Sequence, residues 1–246
     1  MSETVTRYEE IETIPTGIVG LDKIIGGFIK GRTYLVAGEA GTGKTIFSLN
    51  FLMGGIRRGE AGIYVLVEGR VKDLLTGAKS FGWNLEELAN RGLLSVMTLS
   101  PEFSERFRDR AAETMARSVV KDIGSEVKKI NAKRLVIDPI APSTLGEDST
   151  TRVRGYIREL IYRIEQDINI TTVITSEVPA GSNALSRFGV EEFLASGVIV
   201  LGLRKEFNRY IRTIHIRKMK WLPVHPSTYR FEIVPKIGIV IKERIE

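Results

Sequence analysis

The stretch GEAGTGKT, from Gly38 to Thr45, decides the fold of this chain. It lies between an apolar run, TYLVAG at residues 33–38, and an amphipathic run that begins at Lys44. The stretch fits the pattern G-x-x-x-x-G-K-[ST], in which a buried strand leads through a glycine-rich loop into a helix. Its glycines let several backbone N–H groups converge on one anion, because no Cβ stands in the way. The stretch therefore predicts a strand, a phosphate-binding loop and a helix.

Each part of the predicted loop has its own task in holding a nucleotide. The start of the helix offers free N–H groups and the positive end of the helix dipole to a phosphate. Lys44 adds a positive charge at the outer phosphates, which also makes it a candidate catalytic residue, and the Thr45 hydroxyl is suited to ligate Mg²⁺. The predicted nucleotide-binding residues are Gly38, Gly41, Thr42, Gly43, Lys44, Thr45 and Ile46.

Up to about residue 195, apolar runs of strand length alternate with amphipathic segments of helix length. The predicted strands are 33–38, 62–68, 93–99, 134–140 and 171–178; the predicted helices are 44–59, 71–82, 85–92 and 151–166, and 102–129 also has helical spacing. Three apolar stretches then follow without a helix, each predicted as a strand. This order predicts an α/β fold, with a mostly parallel sheet covered by helices and an antiparallel C-terminal extension. We expect one domain over residues 1–246, with residues 1–14 flexible or peripheral.

Three side chains near the ends of predicted strands are further candidates for the site. Asp138 ends the apolar run LVID, where a carboxylate can orient a water on Mg²⁺, although the following Pro139 is unusual there. Glu68 ends GIYVLVE and is either a base that orients the attacking water or a surface charge. Ser176 is a candidate catalytic contact to the γ-phosphate, or else it satisfies backbone groups at its strand end.

The composition excludes several other kinds of site. The chain has no cysteine, so it has no disulfide, thiolate metal site or cysteine nucleophile, and two histidines, His215 and His225, argue against a histidine metal cluster. A net charge of +6 permits anionic partners, nucleic acid included, without requiring them. The polar N-terminus does not resemble a signal peptide, and no apolar run reaches the length of about 18 residues needed to span a membrane. We therefore expect a cytoplasmic protein.

Four further segments carry a resemblance to a known family. They are PTGIVGLDKIIGG (15–27), SFGWNLEEL (80–88), SRFGVEEF (186–193) and IRKMK (216–220). Together with the loop they resemble the KaiC-like ATPases of the RecA superfamily, over nearly the whole chain. The resemblance implies a RecA-like P-loop NTPase fold and a ring, expected to be a hexamer, with ATP and Mg²⁺ at each subunit boundary.

The resemblance also implies roles for single residues. Glu68 stands at the family's catalytic glutamate, but Gly69 replaces the second glutamate of the pair, which predicts slow hydrolysis. Ser80 is expected to contact the nucleotide. Lys218 and Lys220 are expected to reach the phosphates held by the neighbouring subunit, with Lys220 in the place of an arginine and so without its bidentate fork.

Kinase activity toward the chain itself is not expected. The resemblance includes the tandem clock proteins of the family, in which one half is a kinase that carries neighbouring serine and threonine phosphorylation sites, and Glu191 and Glu192 stand near the place of those sites. A glutamate cannot accept a phosphate in that way. The segment therefore resembles the half of those tandem proteins that is not phosphorylated.

Three functions remain open at this point. The leading interpretation is a slow, ring-forming, Mg²⁺-dependent ATPase that couples its nucleotide state to an unknown protein partner. The second is a switch that binds ATP with little hydrolysis, which Gly69, Pro139 and Lys220 favour. The third is a DNA-binding recombinase paralogue whose loop 180–189 faces the DNA. That loop has a single cation, Arg187, and a single aromatic residue, Phe188, whereas binders of single strands use several of each.

Overall fold

The computed structural model describes residues 11–99, 103, 105, 110–142, 150–182 and 184–245. The strands are β1 (Thr13–Ile14), β2 (Phe28–Ile29), β3 (Thr33–Gly38), β4 (Gly62–Leu66), β5 (Leu94–Thr98), β6 (Arg134–Asp138), β7 (Thr171–Glu177), β8 (Gly197–Glu206), β9 (Arg209–Met219), β10 (Ser227–Val234) and β11 (Gly238–Arg244). The helices are α1 (Asp22–Ile25), α2 (Lys44–Ile56), α3 (Val71–Ser80), α4 (Leu85–Asn90), α5 (Ala112–Ile130), α6 (Thr150–Arg163) and α7 (Glu191–Leu194), and a π-helical stretch, Ile164–Ile168, continues α6.

One large sheet organises the described part of the chain. Its strand order is β11-β10-β9-β8-β3-β7-β6-β4-β5. The strands from β8 to β5 in that order run parallel to one another. The pairs β8–β9, β9–β10 and β10–β11 are antiparallel. The predicted fold class, a mostly parallel sheet with an antiparallel C-terminal extension, is confirmed.

Helices cover both faces of the sheet, and each face has its own apolar core. On one face, α5 and α6 contribute buried side chains such as Ile123 and Ile157. On the other face, α2, α3 and α4 contribute Phe47, Leu74 and Leu88. Because the central strands are buried on both faces, they read as continuous apolar runs rather than as alternating ones.

The C-terminal extension contains one strand more than the sequence predicts. The last apolar stretch forms β10 and β11, which pair as a hairpin, with Val234 opposite Gly238. The turn between them includes Pro235, and Lys236 has a φ of +65°. The chain reverses there because proline cannot donate a ladder hydrogen bond and a positive φ turns the backbone. The apolar pattern on both sides of the turn is continuous, so periodicity alone does not mark the reversal.

Other predicted element boundaries agree with the structure to within a few residues. Asn84 caps α4, since its Oδ1 accepts a hydrogen bond from the backbone N–H of Glu87 at 3.3 Å. Of the stretch 102–129, Phe103, Glu105 and the residues from Ala112 onward are helical, and 102, 104 and 106–109 lie outside the described residues.

The start of the chain is described from residue 11. Thr13 and Ile14 form β1, which pairs with β2 in a small sheet separate from the large one. Residues 1–10, most of the segment expected to be flexible or peripheral, lie outside the described residues. Among the helices that the structure describes, none combines the length and apolar character needed to cross a membrane.

Candidate functional site

The glycine-rich loop joins the end of β3 to the start of α2, at the carboxyl edge of the parallel strands. Gly41 and Gly43 have φ angles of +77° and +110°, which residues with a Cβ rarely adopt. Thr42 is buried, and its hydroxyl donates to the carbonyl of Glu39 at 2.8 Å. A Cβ built on Gly43 would lie 3.2 Å from the Cδ1 of Ile233, so β10 closes one side of the loop.

The Lys44 ammonium group folds back over the loop. Its Nζ donates to the carbonyls of Gly38 at 2.8 Å and Glu39 at 2.9 Å. Burial lowers the pKa of Lys44, and the nearby carboxylates of Glu177 and Asp138 offset part of that effect. Two backbone carbonyls thus hold the Lys44 Nζ at the loop, and an incoming phosphate can replace them as its partner.

Asp138 is the acidic centre of the site. It ends β6 and is only 9% exposed. Its Oδ2 accepts a hydrogen bond from the Thr45 hydroxyl at 3.0 Å and another from the Tyr64 hydroxyl. Its Oδ1 accepts from the Thr175 hydroxyl. Three hydroxyl donors thus compensate the cost of burying this carboxylate.

The bonded pair of Thr45 and Asp138 fits a magnesium site. Mg²⁺ commonly takes one or two protein oxygens and completes its shell with phosphate oxygens and water. A hydroxyl and a carboxylate 3.0 Å apart beside the glycine-rich loop supply such a set. Among the described residues, no group of three or more histidine, aspartate or glutamate side chains could hold a metal by itself. The oxygen donors at this site therefore suit a metal that arrives with a nucleotide.

Glu68 lies two residues beyond the end of β4, which stops at Leu66 rather than at Glu68 itself. Glu68, Pro139, Ser176 and Arg187 line one small pocket at the carboxyl edge of the sheet. Gly69 has a φ of +97°, and a Cβ there would meet no atom within 4 Å. The backbone rather than the available space therefore disfavours a second glutamate at this position.

Ser176 is engaged in the structure by residues other than the loop. Its hydroxyl donates to Glu191 Oε1 at 2.9 Å and accepts from the backbone N–H of Arg187 at 2.9 Å. These contacts match the second reading of Ser176, in which it satisfies groups near its strand end. Its contact to a γ-phosphate stays a prediction.

Glu191 is a site residue that sequence reasoning placed only by resemblance. It is fully buried and accepts hydrogen bonds from the Ser176 and Ser186 hydroxyls and from the N–H groups of Phe188 and Val190. It therefore ties the chain between β7 and α7 back onto the end of β7. Its neighbour Glu192 accepts from the same Ser186 hydroxyl. A fully buried glutamate has no signature in the apolar pattern of the sequence.

The loop 180–189 has two different halves. Gly181 donates its N–H to Glu39 Oε1 at 3.0 Å, so the loop touches the glycine-rich loop directly. Ser186 and Phe188 are buried, at 1% and 5% exposure. The aromatic ring that the DNA-binding alternative needs on the surface is thus packed in the core, which counts against that alternative.

Lys218 and Lys220 do not lie at the glycine-rich loop of their own chain. In the sheet register, Lys218 on β9 lies opposite Val198 on β8, and Val198 lies opposite Leu35 on β3. Gly38, where the glycine-rich loop begins, is three residues beyond Leu35 toward the carboxyl edge of the sheet. At about 3.3 Å per residue, the offset is about 10 Å. The Nζ of Lys218 donates to the carbonyl of Glu192 at 2.5 Å. Burial and the charge of Lys220 lower the pKa of Lys218.

Lys220 and Ser80 have local partners. The Lys220 Nζ donates to the carbonyl of Phe193 at 3.4 Å. The Ser80 hydroxyl donates to the carbonyl of Gly77 at 2.7 Å, within its own helix α3. The structure thus brings Lys44, Thr45 and Asp138 together, and the roles expected for Ser80, Lys218 and Lys220 stay predictions.

A glycine-rich loop between a strand and a helix, with its threonine bonded to an aspartate at the end of another strand of the sheet, is the nucleotide site of P-loop NTPases. The mostly parallel sheet with its antiparallel extension is that of the RecA-like ATPases within them. Within that class, the chain belongs to the KaiC family. A family profile described as "ATPase: KaiC" matches residues 14–246. Membership supports ATP binding and ATPase activity in general terms.

Known relatives agree with this assignment. The chain is 35% identical over 240 residues to the circadian clock oscillator protein KaiC of Thermostichus vulcanus, which covers 97% of this chain and 46% of the relative. It is 37% identical over 213 residues to the protein of the same name from Parasynechococcus marenigrum (strain WH8102), with 86% and 41% covered. The chain therefore spans less than half the length of these two relatives.

A solved structure is similar over a larger share of both chains. The crystal structure of a KaiC-like protein from the hyperthermophilic archaeon Pyrococcus horikoshii OT3 matches with a TM-score of 0.81 and 35% sequence identity. The match covers 95% of this chain and 100% of the archaeal chain.

Proposed function

We propose that this chain is a single ATPase domain that binds ATP with Mg²⁺ and hydrolyses it slowly at the subunit boundaries of a ring, coupling nucleotide state to a protein partner. The observation that carries the proposal is the bond between Thr45 and Asp138, 3.0 Å long, beside the glycine-rich loop. It pairs a hydroxyl on α2 with a carboxylate on β6, two oxygen donors of the kind that Mg²⁺ takes in nucleotide sites.

The side chains at the loop have separate tasks in this proposal. Lys44 moves its hydrogen bonds from the carbonyls of Gly38 and Glu39 to the outer phosphates, where its charge stabilises the transition state. Thr45 and Asp138 would hold Mg²⁺, which would supply further positive charge for the phosphates. Glu68 orients the attacking water from the edge of the sheet.

The residue after Glu68, Gly69, is the reason to expect slow turnover of ATP. Gly69 provides no second carboxylate to share the positioning of water, and its φ of +97° suits the turn to glycine. The same observation supports a second candidate, a switch that holds ATP with little hydrolysis. The two candidates differ in turnover and not in ATP binding.

The ring is supported by the surface around Lys218 and Lys220. Both lysines lie away from the loop of their own chain, so they serve a phosphate only if a second copy brings one to them. The side chain of Phe193, whose carbonyl accepts from Lys220, is 70% exposed. An exposed phenylalanine beside two lysines suits an interface with an anionic ligand at its rim.

The test of the proposal is the rate of phosphate release from ATP by the wild type, Lys44→Ala and Glu68→Gln. We expect slow release by the wild type and almost none by either variant, while Glu68→Gln still binds ATP. Equal release in all three proteins contradicts the enzyme proposal. Tight ATP binding and ring formation without release in the wild type favours the switch instead.

A further inference from the structure

We propose that Tyr64 and Thr175 are positioning residues that fix the Asp138 carboxylate and thereby set the Mg²⁺ requirement of the nucleotide site. The inference rests on the proposed function, because it concerns the metal that Thr45 and Asp138 would hold. Neither residue is expected to touch the nucleotide, so both act through Asp138.

The sheet register brings the two residues to the carboxylate. Tyr64 on β4 lies opposite Val136 on β6, two positions before Asp138, so the Tyr64 and Asp138 side chains share one face of the sheet. On the other side of β6, Ile137 lies opposite Ile174, which places Thr175 beside Asp138. Tyr64 then reaches Oδ2 of the carboxylate, and Thr175 reaches Oδ1.

Packing alone does not require a hydroxyl at position 64. Tyr64 is fully buried in the same apolar cluster as Val36 and Val136, where phenylalanine would fill the space of the ring. A phenol buried in this way needs a hydrogen-bond partner, and its partner is Asp138.

The arrangement fixes the orientation of the metal ligands. With one donor on Oδ1 and one on Oδ2 from flanking strands, the carboxylate cannot rotate without losing a buried hydrogen bond. Oδ2 then stays in place to accept the Thr45 proton at 3.0 Å. The Thr45 hydroxyl gives its hydrogen to Asp138, which leaves its oxygen lone pairs for a cation.

The test compares Tyr64→Phe with Tyr34→Phe as the matched control. Tyr34 is also buried, at 1% exposure, but its hydroxyl accepts from the N–H of Ile29 at 2.6 Å and makes no contact with Asp138 in the structure. Each variant loses one phenol hydroxyl from the same apolar cluster. Binding of a fluorescent ADP analogue is titrated with Mg²⁺ for the wild type and both variants, with excess EDTA as the metal-free reference.

We expect Tyr64→Phe to need about 10-fold more Mg²⁺ for half-maximal enhancement of ADP binding, as is typical when a partner of a metal ligand is lost. Tyr34→Phe is expected to match the wild type, and both variants should bind ADP alike in EDTA. An unchanged Mg²⁺ requirement in a folded Tyr64→Phe overturns the inference.

Thr175→Val provides a second reading that does not depend on the stability of Tyr64→Phe. It removes the donor to Oδ1 at nearly constant volume, and we expect the Mg²⁺ requirement to rise here too. An unchanged requirement in Thr175→Val removes that residue from the proposal.

The same titration distinguishes this inference from the proposed function. If the wild type binds ADP with no dependence on Mg²⁺, the metal site of the proposed function fails as well. If Mg²⁺ enhances binding equally in all four proteins, the positioning roles alone fail.

Discussion

Arg134 is the largest of the fully buried side chains in the part of the chain that the structure describes, and it contacts α2, the helix that begins at the glycine-rich loop. Its guanidinium group donates to Glu60 at 2.7 Å and to the backbone carbonyls of Pro15 at 2.7 Å and Phe51 at 2.9 Å. It also lies 4.8 Å from the centre of the Phe51 ring. Burial lowers the pKa of Arg134, and the bond to Glu60 opposes that effect.

Replacing Arg134 with alanine should lower the free energy of unfolding by about 3–5 kcal/mol, the usual cost of removing one partner of a buried ion pair. The loss also removes the side-chain donor to the part-buried carbonyl of Pro15 and to the buried carbonyl of Phe51. Urea denaturation followed by circular dichroism measures the change. Arg117, an exposed cation that also pairs with a glutamate, is the control, and Arg117→Ala should cost less than about 1 kcal/mol. Similar losses in both variants would contradict the structural role of Arg134.

Gly69 allows a second test at the level of one residue. Gly69→Ala should destabilise the chain by about 1–2 kcal/mol, because a Cβ is strained at a positive φ although no atom stands in its way. Gly77 is the matched control, since it also has open space around it but lies inside α3. Gly77→Ala should be stabilising by about 0.5–1 kcal/mol. Thermal melting distinguishes the two, and equal shifts would refute the backbone explanation.

A residue's place in the site could be predicted from the sequence only where neighbouring residues in the chain mark it. Lys44, Thr45 and Asp138 were predictable because a short motif and a strand end place them. Glu191 could not be assigned its buried contacts, because they form only when the chain after β7 folds back onto Ser176. Tyr64 looks like any aromatic residue of a buried strand, since sequence does not show that its hydroxyl meets Asp138.

At the scale of elements, the contact between α2 and the C-terminal hairpin controls one wall of the loop. Asn50 on α2 is fully buried, donates to the carbonyl of Ile237 at 2.8 Å and accepts from the N–H of Ile239 at 2.7 Å. A Cβ on Gly238 would lie 2.2 Å from Asn50 Oδ1, so glycine is needed for this approach. The hairpin in turn holds Ile233 against Gly43.

Asn50→Ala should leave the buried N–H of Ile239 unsatisfied, at a cost of about 1–3 kcal/mol, and should also remove the donor to the part-buried carbonyl of Ile237. We expect the amide of Ile239 to lose its protection against hydrogen exchange before the central strands lose theirs. Asn50→Asp is the informative companion, since it keeps the acceptor and loses the donor to Ile237. Protection at Ile239 that is unchanged in Asn50→Ala would show that the hairpin is held by other contacts.

The elements themselves were largely predictable, because each strand of the parallel sheet is a short apolar run with a helix after it. The turn at Pro235 was not, since the apolar residues continue on both sides of it. The strand order was also beyond the sequence pattern. It depends on which strands pair across the sheet, and β3 pairs with β7 and β8, far from it in the chain.

At the scale of the whole molecule, the proposed ring predicts that activity depends on a second copy. Lys218→Ala should leave ATP binding by the isolated chain intact and lower turnover about 10-fold or more, because a cation supplied in trans stabilises the transition state. Lys121→Ala, which changes an exposed lysine on α5, should leave turnover unchanged. ATP turnover measured against protein concentration provides the check. Activity per chain that is constant on dilution, with no effect of Lys218→Ala, would exclude a shared site.

The contact between Glu39 and Gly181 has a consequence for regulation. Glu39 accepts the Lys44 ammonium group on its carbonyl and the Gly181 N–H on its carboxylate, so the lysine and the loop after β7 meet on one residue. A phosphate that draws Lys44 away and a partner that draws Gly181 away therefore act on the same short segment. If phosphate binding changes the affinity for the partner, the partner changes the affinity for phosphate by the same factor, because coupling between two binding sites is reciprocal. A partner that binds residues 180–182 would thus change the affinity for nucleotide without contacting the nucleotide.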